Sequence, residues 1–394
     1  MEAHLHMWLS LLLRWSHFIV GVAWIGASFY FNWLENHLQR QNPPEDTAGD
    51  LWAVHGGGFY YLKKFAVAPG ELPPSLHWFK WEAYTTWLSG MALLIIVFYW
   101  NAQTYMLDPQ VSGINPATAI AIGILSLLSS WIVYDLLCCS DLSRHEGILA
   151  VIILAWFVLL AWTLSTWLSG RAAYIHVGAA IGTIMVANVF RVIIPAQKDL
   201  VTAVTENRTP DASKGRRALQ RSRHNNYLTL PVLFIMISSH YPATYNHPQN
   251  WLVLLLFSLA AVAIRHYFNI RHLPGFRAWP LIPALVLIAV LVFITAPKPL
   301  PDDQGGDSSS VVQIDEVYAV VEKRCAGCHA AVPTFEGFSS APLGVELDGP
   351  QKLMQQAERV YQSVVVTRAM PLANLTQMTD TERQLIAKWF ERRQ

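Results

Sequence analysis

Charge is what this sequence is shortest of: Asp, Glu, Lys and Arg make up only 14% of its 394 residues. Soluble domains carry about a quarter, so a wholly soluble protein of this length is excluded. There is no Lys/Arg run, no basic stretch interleaved with aromatics, and a formal net charge of only +1, so no nucleic-acid partner is expected. Cysteine is scarce too. Four residues rule out a disulfide framework, and the adjacent Cys138 and Cys139 read as reduced, packed thiols. No Lys or Arg precedes Arg14 and the apolar stretch that follows is long, so the N-terminus is expected to be a retained span rather than a cleaved signal peptide. Finally, no histidine follows His329, which limits what a metal bound in the tail could recruit.

What is abundant is apolar surface: 53% of the residues are hydrophobic, with 16 Trp. Apolar runs of about 20 residues, the length that crosses a bilayer, occur near 10–33, 82–101, 116–138, 147–168, 172–193, 225–240, 250–269 and 278–296. The sixth is short and contains Pro231, which predicts a kink. With Met1 outside, the inner connections hold Arg40, Lys63, Lys64, Lys80, Arg144, Lys198, Arg208, Lys214, Arg216, Arg217, Arg221, Arg223, Arg271 and Arg277, whereas the outer ones hold only Arg171. This positive-inside bias places both termini outside. The first inner connection, from Glu35 to Lys80, is long and contains His55-Gly56-Gly57-Gly58. It reads either as a cover over the inner end of the bundle or as a flexible loop.

The tail carries the clearest chemistry. Residues 297–310 are rich in Pro, Gly, Ser and Asp and read as a linker. Beyond them Cys325-Ala326-Gly327-Cys328-His329 is the C-x-x-C-H pattern of covalent haem attachment, in which each thiol adds to a vinyl group and the histidine reaches the iron. The amphipathic segment 311–323 before it and the capping box Thr379-x-x-Glu382 opening a last helix suit a small cytochrome c. With no later histidine, the second axial ligand is expected to be a thioether. Of Met354, Met370 and Met378, Met370 is preferred because Pro371 stiffens the loop that holds it. The expected fold is therefore all-α: an eight-span transmembrane bundle (1–296), a linker, and a class I cytochrome c domain (311–394) on the outer side, where c-haem is attached.

Ionisable residues inside spans are costly and mark function by default. Arg14, His17, Gly21 and Ser28 form a polar or small stripe on the first span, and His176 on the fifth is followed by Gly178 and Gly182. Both imidazoles fall in the outer half. They are either ligands of a non-covalent haem b or partners in interhelical hydrogen bonds.

The stretches LLRWSHFIVGVAWIGASFYFNWL, HGGGFYYLKK, LHWFKWEAYTTWLSG and SRHNNYLTLPVLF, together with CAGCH, resemble the bacterial integral-membrane urate hydroxylases (urate oxidases) that carry a C-terminal cytochrome c. The resemblance implies hydroxylation of urate to 5-hydroxyisourate in purine degradation, in the bacterial inner membrane. Electrons would leave through haem c to a downstream respiratory acceptor, either a soluble cytochrome or a terminal oxidase. Urate is a planar monoanion, so its pocket should offer a cation, amides and a base. Candidates are Arg191 with Asn188, Arg265 with His266, and His224 beside Asn225 and Asn226; for each arginine alone, snorkelling to lipid headgroups is the bland alternative. Two other classes remain open, a quinol-to-cytochrome electron carrier and a transporter with a cytochrome sensor, although no inverted repeat favours the latter.

Overall fold

The computed structural model describes residues 2–296, 312–335, 338 and 340–392. The expected linker 297–310 and the start of the C-terminal domain at Val311 lie outside the described residues. Eight helices form the bundle: α1 (Glu2–His37), α2 (Trp81–Tyr99), α3 (Pro116–Cys139), α4 (Glu146–Trp167), α5 (Gly170–Thr205), α6 (Ala212–Ser238), α7 (Asn250–Ile270) and α8 (Leu281–Ile294). They alternate in direction. At one end His6 meets Trp100, and Tyr174 donates to Asn250 O; at the other, Asn36 meets Asn269.

Among the described residues, six of these helices, α1 to α5 and α7, are long and apolar enough to cross a membrane, as expected of a membrane protein. The other two fall short for readable reasons. The N-terminal half of α6 is polar (ASKGRRALQRSRHNN), and α8 has only 14 residues, about 21 Å against a hydrocarbon core of about 30 Å.

Local chemistry sets the ends. Asn115 caps α3 by accepting from Thr118 N (2.9 Å) with Pro116 in the first turn, and Ser169 caps α5 by accepting from Ala172 N. The α5 helix is the most buried span and is rich in small residues that let its neighbours approach. A Cβ added at Gly178 would lie 2.5 Å from Ile235 on α6, and one at Gly123 on α3 would lie 2.5 Å from the His176 ring. Two turns widen to π-helix, Leu94–Tyr99 in α2 and Val189–Ile193 in α5.

Among the described residues the structure departs from an all-α fold at one place. In the connection after α1, β1 (Thr47–His55) and β2 (Gly58–Phe65) form an antiparallel hairpin. Gly56 (φ 57°) and Gly57 (φ 80°) occupy its turn, so the glycine run serves a tight reversal that β-carbons disfavour rather than a ligand contact or a flexible loop. Trp52 stacks on its cross-strand partner Tyr61.

The C-terminal domain is built on α9 (Ile314–Arg324), α10 (Pro350–Gln355) and α11 (Asp380–Glu391). Val317 and Val321 from α9, Leu353 from α10 and Ile386, Trp389 and Phe390 from α11 make its core, together with Val360, Val364, Cys325 and Met378. The capping box expected from sequence is present, with Thr379 N donating to Glu382 Oε2 (2.7 Å) and Glu382 N to Thr379 Oγ1.

Candidate functional site

In the C-terminal domain the chain turns sharply after α9. Cys328 N and His329 N both donate to Cys325 O, presenting the two thiols and the imidazole from a single turn. His329 Nδ1 lies 2.9 Å from Val345 O, which fixes the proton on Nδ1 and leaves Nε2 free as a ligand. Those three side chains fit a covalently attached haem. Of the three candidate methionines, Met354 is 43% exposed on the surface and Met378 is buried in the core. Met370 lies between, half-buried against that core, and its loop is held by Arg383, which donates to Met370 O and Val364 O. Nearby, Arg324 pairs with Glu382 (2.9 Å) and donates to Thr376 O. Burial alone would raise the Glu382 carboxyl, but the Thr379 N–H and the Arg324 guanidinium outweigh it and hold it below the usual carboxylate range.

Within the bundle, polar groups collect on both sides of α6, because consecutive helical residues point about 100° apart. On the α3/α5 side Asn188 is fully buried; its Nδ2 donates to Tyr134 Oη (3.0 Å) and Asn225 Oδ1 (2.8 Å), and its Oδ1 accepts from Arg221 (3.1 Å). Arg221 also pairs with Asp135 (2.7 Å), Asn225 donates to Met185 O, and Tyr134 meets His224 Nδ1 (2.8 Å). This network is closed.

On the α1/α7 side, Asn226 Oδ1 accepts from Arg265 Nε (2.9 Å) and Asn269 Nδ2 (3.0 Å), which fixes the orientation of the Asn226 amide. Arg265 lies over the Phe29 ring at 4.0 Å, and Asn36 donates to Asn269 O. Here two buried polar atoms, Asn226 Nδ2 and Asn269 Oδ1, have no hydrogen-bond partner among the described residues. Each such group costs about 1–3 kcal/mol unless something binds it. This network is open.

Directly above it along the helix axes is an apolar chamber of about 420 Å³. Leu230, Leu233 and Ile237 continue the Asn226 face of α6, Ala261 and Phe257 the Arg265 face of α7, and Val22 and Phe18 the Phe29 face of α1; Ile288 of α8 completes the wall. Phe18 and Val22 are exposed, so the chamber opens sideways toward lipid.

The sequence candidates are thus sorted. Arg265 and Asn226 meet at the open network, whereas Asn188 and His224 belong to the closed one. Arg191 does not join Asn188: the π-helical turn Val189–Ile193 rotates it away and it is exposed. Arg221, read from sequence as a loop cation, is instead 3% exposed and takes the place expected for Arg191. Asn269 was not anticipated; its spacing of four from Arg265 was the available signal. His266 stacks on Tyr227 and bonds its hydroxyl (2.7 Å) beside the open network.

His17 and His176 occupy different seams. His17 Nδ1 lies 2.9 Å from Ser89 Oγ and 3.1 Å from Thr86 O, with its ring against Gly90 of α2. His176 is wholly buried; Nδ1 faces Ala172 O (2.8 Å) and Nε2 faces Tyr99 Oη (3.2 Å) and the Gly123 backbone. In this arrangement each imidazole is an interhelical hydrogen-bond partner of α2, His17 through Ser89 and His176 through Tyr99. Cys138 and Cys139 are free thiols; the first is packed, as expected, whereas the second is exposed beside Arg221.

The fold is that of a helical membrane protein with an unsatisfied buried polar network between α1, α6 and α7 and a small C-terminal domain bearing a C-x-x-C-H turn. The profile of the urate oxidase N-terminal family matches residues 3–296, the whole bundle, and the chain belongs to that family. It is a urate-related oxidoreductase. No curated protein matches it, and no solved structure does.

Proposed function

We propose that this protein hydroxylates urate to 5-hydroxyisourate at the open network and delivers the electrons to a c-haem held by Cys325, Cys328, His329 and Met370. The observation that carries the reading is the pairing of a guanidinium with an unpartnered amide N–H and an unpartnered amide C=O, a donor and acceptor pattern matched to a planar anionic ureide. Arg265 and Asn226 Nδ2 would bind ring oxygens, Asn269 Oδ1 would accept from a ring N–H, and Phe29, stacked beneath Arg265, would hold the guanidinium in plane.

The overall conversion takes urate and water to 5-hydroxyisourate, two protons and two electrons. Cys325, Cys328, His329 and Met370 would hold the c-haem, which would supply one-electron transfer, twice per substrate, to a respiratory acceptor. His266, oriented by Tyr227, is the candidate proton acceptor. In this reading all eight bundle helices span the inner membrane, α6 by its apolar C-terminal half, and both termini and the C-terminal domain face the periplasm.

The chamber supports a second reading, a quinol-to-cytochrome electron carrier, since a lipid-facing apolar cavity one turn from a polar network suits a quinol as well. One experiment separates the two. Urate added to the oxidised protein under argon should raise the ferrous α-band in the wild type but not in Arg265→Gln. If only a quinol analogue reduces the haem, urate is excluded.

A further inference from the structure

The C-terminal domain does not hang free of the bundle. Its Met370 loop sits on the rim formed by the connection after α2, the start of α5 and the turn before α7. Asn246 Nδ2 donates to Arg368 O (3.1 Å), and Ala369 and Leu372, which bracket Met370 and Pro371, close a cavity of about 20 Å³, room for a single water, against Tyr105, Asp108, Arg171 and Tyr245.

The rim is held together by its own hydrogen bonds. Ser169 Oγ donates to Tyr105 O (2.8 Å) and Ser169 N to Met106 O (2.8 Å), while Asn250 Nδ2 donates to Tyr245 O (2.9 Å). Gly170 lets Tyr245 O approach so closely that an added Cβ would lie 1.9 Å from it. Arg171 lies over the Tyr245 ring and bonds its hydroxyl (3.0 Å), yet its buried Nε has no partner among the described residues. That N–H lies in the rim that the Met370 loop covers.

Beneath the rim runs a column of rings. Tyr105 meets Phe98 at 6.1 Å between centroids, Phe98 meets His176 at 6.4 Å, and Tyr99 stacks on His176 at 5.7 Å. The π-helical turn Leu94–Tyr99 carries both Phe98 and Tyr99 to this column. It leads from His176, in the second turn of α5, to the one residue of the series, Tyr105, that lines the cavity under the Met370 loop.

We propose that the rim of Tyr105, Arg171, Tyr245 and Asn246 is the docking plate for this chain's own Met370 loop and the point at which electrons leave the bundle. The electron-exit part rests on the urate reading. The c-haem that Cys325, Cys328, His329 and Met370 would hold would take the two electrons of urate one at a time and pass each to an external one-electron acceptor. The contact is small, as suits a partner tethered on the same chain at millimolar effective concentration, and it leaves the opposite face of the domain for the external acceptor.

The test uses the full-length holoprotein with Asn246→Asp, which sets a carboxylate against Arg368 O, and Asn246→Trp, which blocks the seat by bulk; Asn246 is exposed, so neither disturbs the core. Amide hydrogen exchange at residues 366–375 should become about tenfold faster in both variants. Under argon, urate-driven reduction of the haem should slow about tenfold while reduction by ascorbate is unchanged. Equal exchange in wild type and variants overturns the docking plate, and faster exchange with unchanged urate-driven reduction overturns it as the electron exit. A wild type that urate does not reduce would sink the urate reading and the exit with it, while exchange still decides the docking.

Discussion

On one side of α6, Asn225 sits in a network whose oxygens and nitrogens are matched by Asn188, Arg221, Tyr134 and Asp135; on the other, Asn226 holds Arg265 in place and keeps a buried N–H unspent. Both networks join an arginine to asparagines at the same end of the same bundle. They differ in satisfaction. A closed network supports the fold, and any ligand entering it would have to break hydrogen bonds that already exist. An open network carries a standing cost that a matching ligand removes.

That contrast is breakable by mutation. Arg221→Met should have the largest effect on stability, about 3–5 kcal/mol, because it strands Asp135 and Asn188 Oδ1 without their cation. Thermal unfolding in detergent would show it, and urate affinity in the remaining folded protein should stay near wild type. Arg265→Gln should do the reverse. Loss of a charged hydrogen-bond partner for the anion should weaken urate binding by about 3 kcal/mol, a hundredfold or more, with little change in the unfolding temperature. Titration calorimetry would check it, and equal urate affinity in wild type and Arg265→Gln would remove the open network from the site.

Asn226→Leu sharpens the comparison further. It deletes the unpartnered N–H together with the acceptor that Arg265 and Asn269 share, so stability should fall by about 1–3 kcal/mol and urate binding at least tenfold. The same substitution at Asn225, in the closed network, should cost stability alone. The smallest effect is expected at a third closed network, in the C-terminal domain. Glu382 is held below the ordinary carboxylate range, so its contribution is complete above about pH 4.3 and is lost as pH falls through its lowered folded value. Glu382→Gln should therefore lose about 1 kcal/mol at neutral pH and flatten the acid limb of the stability curve. Amide exchange in α11 as a function of pH would read both.

Much of this was legible in the chain. The eight apolar runs fall on the eight bundle helices, because hydrophobic length is a local property. The capping box and the C-x-x-C-H turn are local as well, and each forms where its residues predict. The hairpin was missed although His55-Gly56-Gly57-Gly58 carries a hairpin-turn signal; a long polar connection between spans hid the alternation on either side of it. The pairing of Arg191 with Asn188 failed because it assumed α-helical rotation through a turn that is π-helical. Arg221 was read as a loop charge because α6 begins well before its apolar half does.

By itself, then, the sequence determined the helices, their apolar faces, the family and the residues of the C-x-x-C-H turn, all of which depend on neighbours within a few turns. Only the tertiary structure decided which arginine meets which asparagine, that Asn225 is satisfied and Asn226 is not, and that the Met370 loop rests on Asn246. Those contacts join residues 33 to 122 positions apart, and helix rotation and packing rather than local propensity select them.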